Sequence, residues 1–125
     1  MSTAPRATVA RTRHAPAPDP VGATLRKVFG LQRLRPGQRE VIERVLNARN
    51  TLAVMPTGAG KSLCYQLPAL LLPGTTVAVS PLVALMKDPC DALRALGVAA
   101  VQINSAIGSE ELAAARAAIE HGSAR

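Results

Sequence analysis

The eight residues Met55 to Ser62 read MPTGAGKS, and they constrain the fold more than any other stretch. The last five, GAGKS, are the end of a phosphate-binding loop of pattern G-x-x-x-x-G-K-[ST]. Glycines there let backbone N–H groups crowd around phosphate oxygens, and the following helix N-terminus adds partial positive charge. A lysine at Lys61 reaches the β and γ phosphates, and a hydroxyl at Ser62 holds Mg²⁺. The first glycine of the pattern is missing, because Met55 stands in its place. Gly58 and Gly60 remain where close approach matters, so a methionine closing a strand leaves the loop usable.

A phosphate loop needs a strand before it and a helix after it. Thr51 to Met55, TLAVM, is a short uncharged run, and Lys61 to Leu72 holds helical residues up to the break at Pro73-Gly74. TTVAVS (Thr75 to Ser80) and VAAVQI (Val98 to Ile103) repeat the strand signal. Each run is continuously apolar, as strands buried on both faces are. Helical segments are expected from Val21 to Phe29, after Pro36 with an apolar stripe of Val41, Ile42, Val45 and Leu46, through most of Pro81 to Leu96, and after a capping Ser109 up to Gly122. The expectation is an α/β domain, with three parallel strands, helices on both faces of the sheet, and an open edge.

Residues 1–20 carry four prolines, three arginines and one acid, a composition that does not order itself, so residues 1–20 read as a disordered basic tail and 21–125 as the folded part. An arginine-rich, acid-poor start also resembles a transit peptide, although Pro16, Pro18 and Pro20 would interrupt its helix. The formal charge is +7, and seven Lys/Arg between Arg26 and Arg49 face only Glu40 and Glu43. That segment is either a solvated basic face or a phosphate or nucleic-acid contact. Cys64 and Cys90 are too few and too far apart for a zinc site and read as reduced thiols. No run reaches the roughly 18 apolar residues of a membrane span, and no secretory signal is visible. These features point to a soluble, intracellular protein.

MPTGAGKSLCYQLPALL resembles motif I of the RecQ family of ATP-dependent DNA helicases, in which the first Walker glycine is absent. FGLQRLRPGQREVIERVL resembles the nucleotide-sensing motif of that family, VSPLVALMKD its motif Ia, and INS (Ile103 to Ser105) a further element. The resemblance covers roughly residues 25–120. It implies the front of a RecA-like P-loop domain, with ATP and Mg²⁺ as cofactors and single-stranded or partly duplex DNA as partner. Lys61 would be the phosphate lysine, Ser62 the Mg²⁺ ligand, and Thr57, Gly58, Ala59 and Gly60 the loop backbone. Gln38 would read the adenine edge, since an amide donates and accepts at once, and Arg35 would lie against the purine. Ser80, Pro81, Leu82 and Lys87 match the strand-contacting positions, with Asn104 and Ser105 as weaker matches that also suit a turn and cap. A bacterial, nucleoid-associated cytoplasmic location goes with this reading.

Two departures stand against the family pattern. Pro89 interrupts the helix that normally continues from LMKD, so a kink or restart is expected at Asp88. The Asp-Glu-x-His element, an arginine finger and the second motor domain are absent from the 125 residues, and hydrolysis needs such groups. The chain therefore reads as a fragment holding the grip of the enzyme and no catalytic residue, poorly folded alone and unable to unwind DNA. The alternative is a binding module that holds ATP and single-stranded DNA without turnover. A small kinase lacks its acceptor and lid signals here. An RNA helicase would carry a Pro-Thr-Arg-Glu-like motif in place of SPLVALMKD.

Overall fold

The computed structural model describes residues 17–125, so most of the tail expected at 1–20 lies outside the described residues. Five helices follow in order: α1 (Pro20–Phe29), α2 (Gln38–Leu46), α3 (Leu63–Leu71), α4 (Lys87–Ala95) and α5 (Ser109–Glu120), with a single 3₁₀ turn at Val83–Leu85 before α4.

Helix α1 begins one residue earlier than Val21. Asp19 caps it by accepting a hydrogen bond from the Gly22 N–H at 3.1 Å, and Pro20 takes the first helical position, where its missing N–H costs nothing. Arg26 and Lys27 fill the last turn, and Gly30 ends the helix in the left-handed conformation at φ 66°. The Asp19 carboxylate also meets Arg39 of α2 at 3.3 Å, and Arg39 meets Glu43 at 3.1 Å. These contacts are half-exposed, so they set the direction of α1 against α2 more than they stabilise it.

The core is helical. Leu25 of α1, Ile42 of α2 and Leu67 of α3 are fully buried, joined by Val21 and Leu63, with Phe29, Leu34, Leu46 and Leu71 packed against them. Each fully buried aliphatic side chain contributes roughly 1.5–3 kcal/mol of transfer free energy. Of the stripe read in α2, Ile42 lies at the centre while Val41, Val45 and Leu46 are half-buried. Helix α3 starts two residues after Lys61 and contains Pro68, which is buried. Proline has no N–H to give, so the Cys64 carbonyl lacks its ordinary helical partner.

The expected parallel sheet is not there. Among the described residues no strand forms, and TLAVM, TTVAVS and VAAVQI exchange no backbone hydrogen bonds with one another. Leu52, Val54 and Val79 are each 91% exposed. The reason is physical: an apolar run reports that a strand would be comfortable if buried, whereas a strand exists only where a neighbour supplies its ladder. Here none of the three runs supplies that ladder to another. TTVAVS and VAAVQI are tied instead to other parts of the chain, for example by the Thr75 hydroxyl donating to the Ala124 carbonyl at 2.9 Å, the Arg125 N–H donating to the Ala99 carbonyl at 2.9 Å and the Arg94 Nε donating to the Ala100 carbonyl at 2.7 Å.

The helix is interrupted at Met86, two residues before the restart expected at Asp88. The 3₁₀ turn ends at Leu85, and α4 restarts at Lys87, which puts Asp88 and Pro89 in its first turn. Proline is tolerated there because that N–H has no intrahelical acceptor. Asp88 is a first-turn acid rather than the cap, since Met86 holds the capping position. Ser109 is likewise the first residue of α5, preceded by Gly108, and makes no capping bond. Gly122 ends that helix region with φ 69°.

Because the core is centred on α2 and α3, Ile42→Ala and Leu67→Ala should each lower the unfolding free energy by about 2–5 kcal/mol. Leu52→Ala and Val79→Ala should stay within about 0.5 kcal/mol, as read by urea titration of the far-ultraviolet circular dichroism. The Gly22 N–H, followed by Arg39, holds the Asp19 carboxyl below its ordinary range. Its contribution is therefore full above the ordinary carboxylate pKa and is lost as pH falls through the depressed one. Asp19→Asn should flatten this part of the acid limb of the stability profile.

Candidate nucleotide-binding site

The phosphate loop runs from Pro56 to Ser62, between the TLAVM run and α3. It turns tightly, with the Ala59 N–H donating to the Pro56 carbonyl at 3.2 Å. Gly58 and Gly60 have φ of 81° and 78°, a region that costs an L-residue roughly 1–2 kcal/mol. Their situations differ. A Cβ at Gly58 would meet open space, whereas one at Gly60 would collide with the Gln38 amide nitrogen.

Gln38 is the first residue of α2 and is only 3% exposed. Its Oε1 accepts the Arg35 N–H at 2.8 Å, and its Nε2 donates to the Gly60 carbonyl at 3.0 Å and the Ala59 carbonyl at 3.3 Å. The Arg35 guanidinium donates to the Gly58 carbonyl. The three consecutive carbonyls of Gly58, Ala59 and Gly60 are thus held from behind by the Arg35–Gln38 turn. The motif resemblance assigns both side chains to a purine, and the structure places both on the loop itself. The signal for this was the spacing in RPGQ, because a glutamine three residues after the turn's start reaches back to its N–H as in a capping box.

The other face of the loop is unspent. Among the described residues, the N–H groups of Gly58, Gly60, Lys61 and Ser62 make no hydrogen bond to protein acceptors. Ser62 precedes α3 with helical φ and ψ and makes no side-chain capping bond. Thr57, Lys61 and Ser62 are exposed. Donors at a helix N-terminus, a free hydroxyl and a solvent-facing lysine fit the phosphates of a nucleotide and its cation.

Met55, in the place of the pattern's first glycine, is half-buried beside the loop, with its sulfur 3.9 Å from the Cys64 thiol. Burial pushes the Cys64 thiol up from its ordinary value, which keeps it protonated and unreactive. This packing was not visible in the sequence.

The positions matched to strand contact are less assembled. The Ser80 hydroxyl accepts the Leu82 N–H at 3.3 Å, making a local turn that leaves Pro81 and Leu82 exposed. The Lys87 side chain is 72% exposed and its Nζ is 2.8 Å from Asp91, which also meets Arg94 at 3.6 Å. That hydrogen bond raises the Lys87 pKa and lowers that of Asp91. Asn104 accepts the Ala106 N–H at 2.9 Å, the turn geometry that such a residue ordinarily adopts, and Ser105 is exposed beside it.

The sequence model of the DEAD/DEAH box helicase family matches residues 35–124. The chain belongs to the DEAD/DEAH box helicase family. The match takes in Arg35, Gln38 and the whole loop, so the turn that holds the loop carbonyls and the unbonded loop N–H groups both lie in the matched segment. Similar curated proteins include the ATP-dependent DNA helicase RecQ of Bacillus subtilis (strain 168), 52% identical over 85 residues, or 67% of this chain and 14% of the relative. The RecQ of Haemophilus influenzae is 53% identical over 83 residues, 66% of this chain and 13% of the relative. ATP-dependent DNA helicase Q1 of Rattus norvegicus is 46% identical over 88 residues, 70% of this chain and 14% of the relative. The similarity to proteins named RecQ or Q1 therefore extends over about two thirds of this chain, which spans about 14% of the length of these relatives. Among the described residues no helix is long and apolar enough to cross a membrane.

The two loop glycines give a discriminating prediction. Gly58→Ala should cost about 1–2 kcal/mol of stability from backbone conformation alone. Gly60→Ala should cost more, because it also displaces Gln38 and strips buried hydrogen bonds worth roughly 1–3 kcal/mol when left unmade. Urea denaturation of the two variants checks this, and equal losses would mean that Gln38 does not sit against Gly60.

Proposed function

We propose that this chain is the nucleotide-gripping part of the first motor domain of an ATP-dependent DNA helicase that unwinds 3′ to 5′ in DNA repair or recombination, in the bacterial cytoplasm beside the nucleoid. The supporting observation is the loop from Gly58 to Ser62, with the carbonyls of Gly58, Ala59 and Gly60 bound from behind and the N–H groups of Gly58, Gly60, Lys61 and Ser62 unspent, in a segment about half identical to proteins named ATP-dependent DNA helicase.

In this reading residues 21–125 are the leading part of an ATP-binding domain, with its first helix opened by Asp19 and Pro20 at the end of the basic stretch 1–20. The N–H groups of Gly58, Gly60 and Lys61 bind phosphate oxygens, with Thr57 and Ala59 shaping the loop around them. Lys61 neutralises the β and γ phosphates, and Ser62 offers its hydroxyl to Mg²⁺. Bound ATP supplies the phosphoanhydride whose cleavage drives strand separation. Gln38 and Arg35 turn to the nucleobase only by releasing the loop carbonyls, so base recognition and loop shape are coupled through the same two side chains. Ser80, Pro81, Leu82, Lys87 and Asn104 form the face toward single-stranded or partly duplex DNA, where Lys87 must exchange Asp91 for a phosphate.

The test is nucleotide affinity, measured by fluorescence titration with a labelled ATP analogue in the presence of Mg²⁺. Lys61→Ala should weaken binding at least about tenfold, as removal of a charge-assisted phosphate hydrogen bond does, and Ser62→Ala should remove most of the Mg²⁺ dependence. Lys61→Ala that binds the analogue as tightly as the unaltered chain would overturn the nucleotide site. ATP binding with no DNA affinity at any salt concentration would overturn the helicase assignment while leaving that site intact.

A further inference from the structure

Arg26, Arg33, Arg35 and Arg39 line an open cleft of about 470 Å³ between α1 and the Gln32 to Gly37 turn. Arg35 is committed from there to the Gly58 carbonyl of the phosphate loop, whereas, among the described residues, Arg26 and Arg33 form no hydrogen bond with that loop. Leu25, Leu34 and Pro36 are its apolar lining, and Asp19 is the one carboxylate lining it among the described residues. Asp19 is already engaged by the Gly22 N–H and by Arg39. Arg39 is further occupied by Glu43. Arg26 and Arg33 are exposed and, among the described residues, form no ion pair.

A merely solvated basic face does not require this arrangement. Arg39, Lys87 and Arg94 find carboxylates on their own helices three or four residues away. Arg26 and Arg33 come from different elements, converge on one concavity and meet no acid that is free. Guanidinium groups present flat forks that match phosphate oxygens two at a time. The cleft is open to solvent, has no aromatic lining to stack a base, and is lined by four arginines. Such a site suits a polymer that runs past it more than a small nucleotide that must be enclosed.

We propose that this cleft is a second nucleic-acid contact, in which Arg26 and Arg33 each bind a backbone phosphate of a DNA strand independently of the nucleotide loop. The identity of the polyanion as DNA rests on the helicase reading above. The contact carries no base preference, so its contribution is positional and salt-dependent.

The experiment is fluorescence anisotropy of a labelled oligothymidylate with the 125-residue chain over a series of NaCl concentrations. The double variant Arg26→Ala/Arg33→Ala should bind several-fold more weakly at low salt. Its slope of log affinity against log salt should be shallower by about 1.4, since each single-strand phosphate that an arginine neutralises accounts for about 0.7. Arg26→Lys/Arg33→Lys should restore most of that slope, and affinity for the labelled ATP analogue should be unchanged in both. Circular dichroism confirms that each variant keeps its helices. A slope unaltered in the double alanine variant overturns the proposal. If Lys87→Ala lowers the slope in the same assay, the DNA reading survives that outcome. A parallel fall in nucleotide affinity also overturns the proposal, by assigning the cleft to the ATP site. Absence of any salt-dependent DNA binding by the unaltered chain sinks the cleft and the DNA reading together.

Discussion

The side-chain amide of Gln38 is the interaction on which the rest of this structure depends. It is buried, and a buried amide left without partners is costly, so its satisfaction fixes the groups around it. Its acceptor is filled by the Arg35 N–H, which closes the turn into α2, and its donors are filled by the carbonyls of Ala59 and Gly60. One side chain therefore sets the start of a helix and the path of a loop some twenty residues away. Packing of α2 against α3 through Ile42 and Leu67 brings these partners into range. Neither the core nor the loop reaches this geometry without the other.

This fits the reading of the loop as an anion site. A peptide unit held by its carbonyl points its N–H the opposite way, so the Ala59 and Gly60 carbonyls held by Gln38 direct the Gly60 and Lys61 N–H groups away from it, while the Ala59 N–H, opposite the Gly58 carbonyl held by Arg35, is used within the loop by Pro56. The donors that remain face away from the protein at the start of α3, where the helix dipole favours negative charge. Glycine is required at the two positions for different reasons: Gly58 only for its backbone angle, Gly60 also because Gln38 leaves no room for a methyl group.

More of the candidate site's shape than of the fold was legible in the sequence. The glycine spacing of GAGKS read as a tight turn entering a helix, and the turn is there, with Gly58 and Gly60 at positive φ and α3 starting at Leu63. The helices were readable from Leu25, Ile42 and their neighbours at helical spacing, and from punctuation at Gly30, Pro73-Gly74 and Gly122. Pro89 announced a break, and the break falls within two residues of the expected place. The sheet was misread because TLAVM, TTVAVS and VAAVQI encode an appetite for burial without encoding a pairing partner, and Leu52, Val54 and Val79 remain in solvent. The burial of Gln38 was equally hidden: a polar residue on a basic helix reads as exposed until the loop that satisfies it is placed beside it.

Met55 shows how far a missing consensus residue counts as damage. A glycine is indispensable only where its backbone angle or its lack of a side chain is used. Among the loop residues these demands fall on Gly58 and Gly60, close to Leu63 and the start of α3. At position 55 neither demand is made. The φ there is not positive, and the side chain is accommodated, with its sulfur against Cys64 on the first turn of the helix that follows the loop. A thioether is well suited to such a gap because it is flexible and polarisable. A methionine there thus changes how the loop is supported while leaving the unbonded N–H groups of Gly58, Gly60, Lys61 and Ser62 as they are, and a search for this loop that insists on the first glycine looks at the wrong end of it.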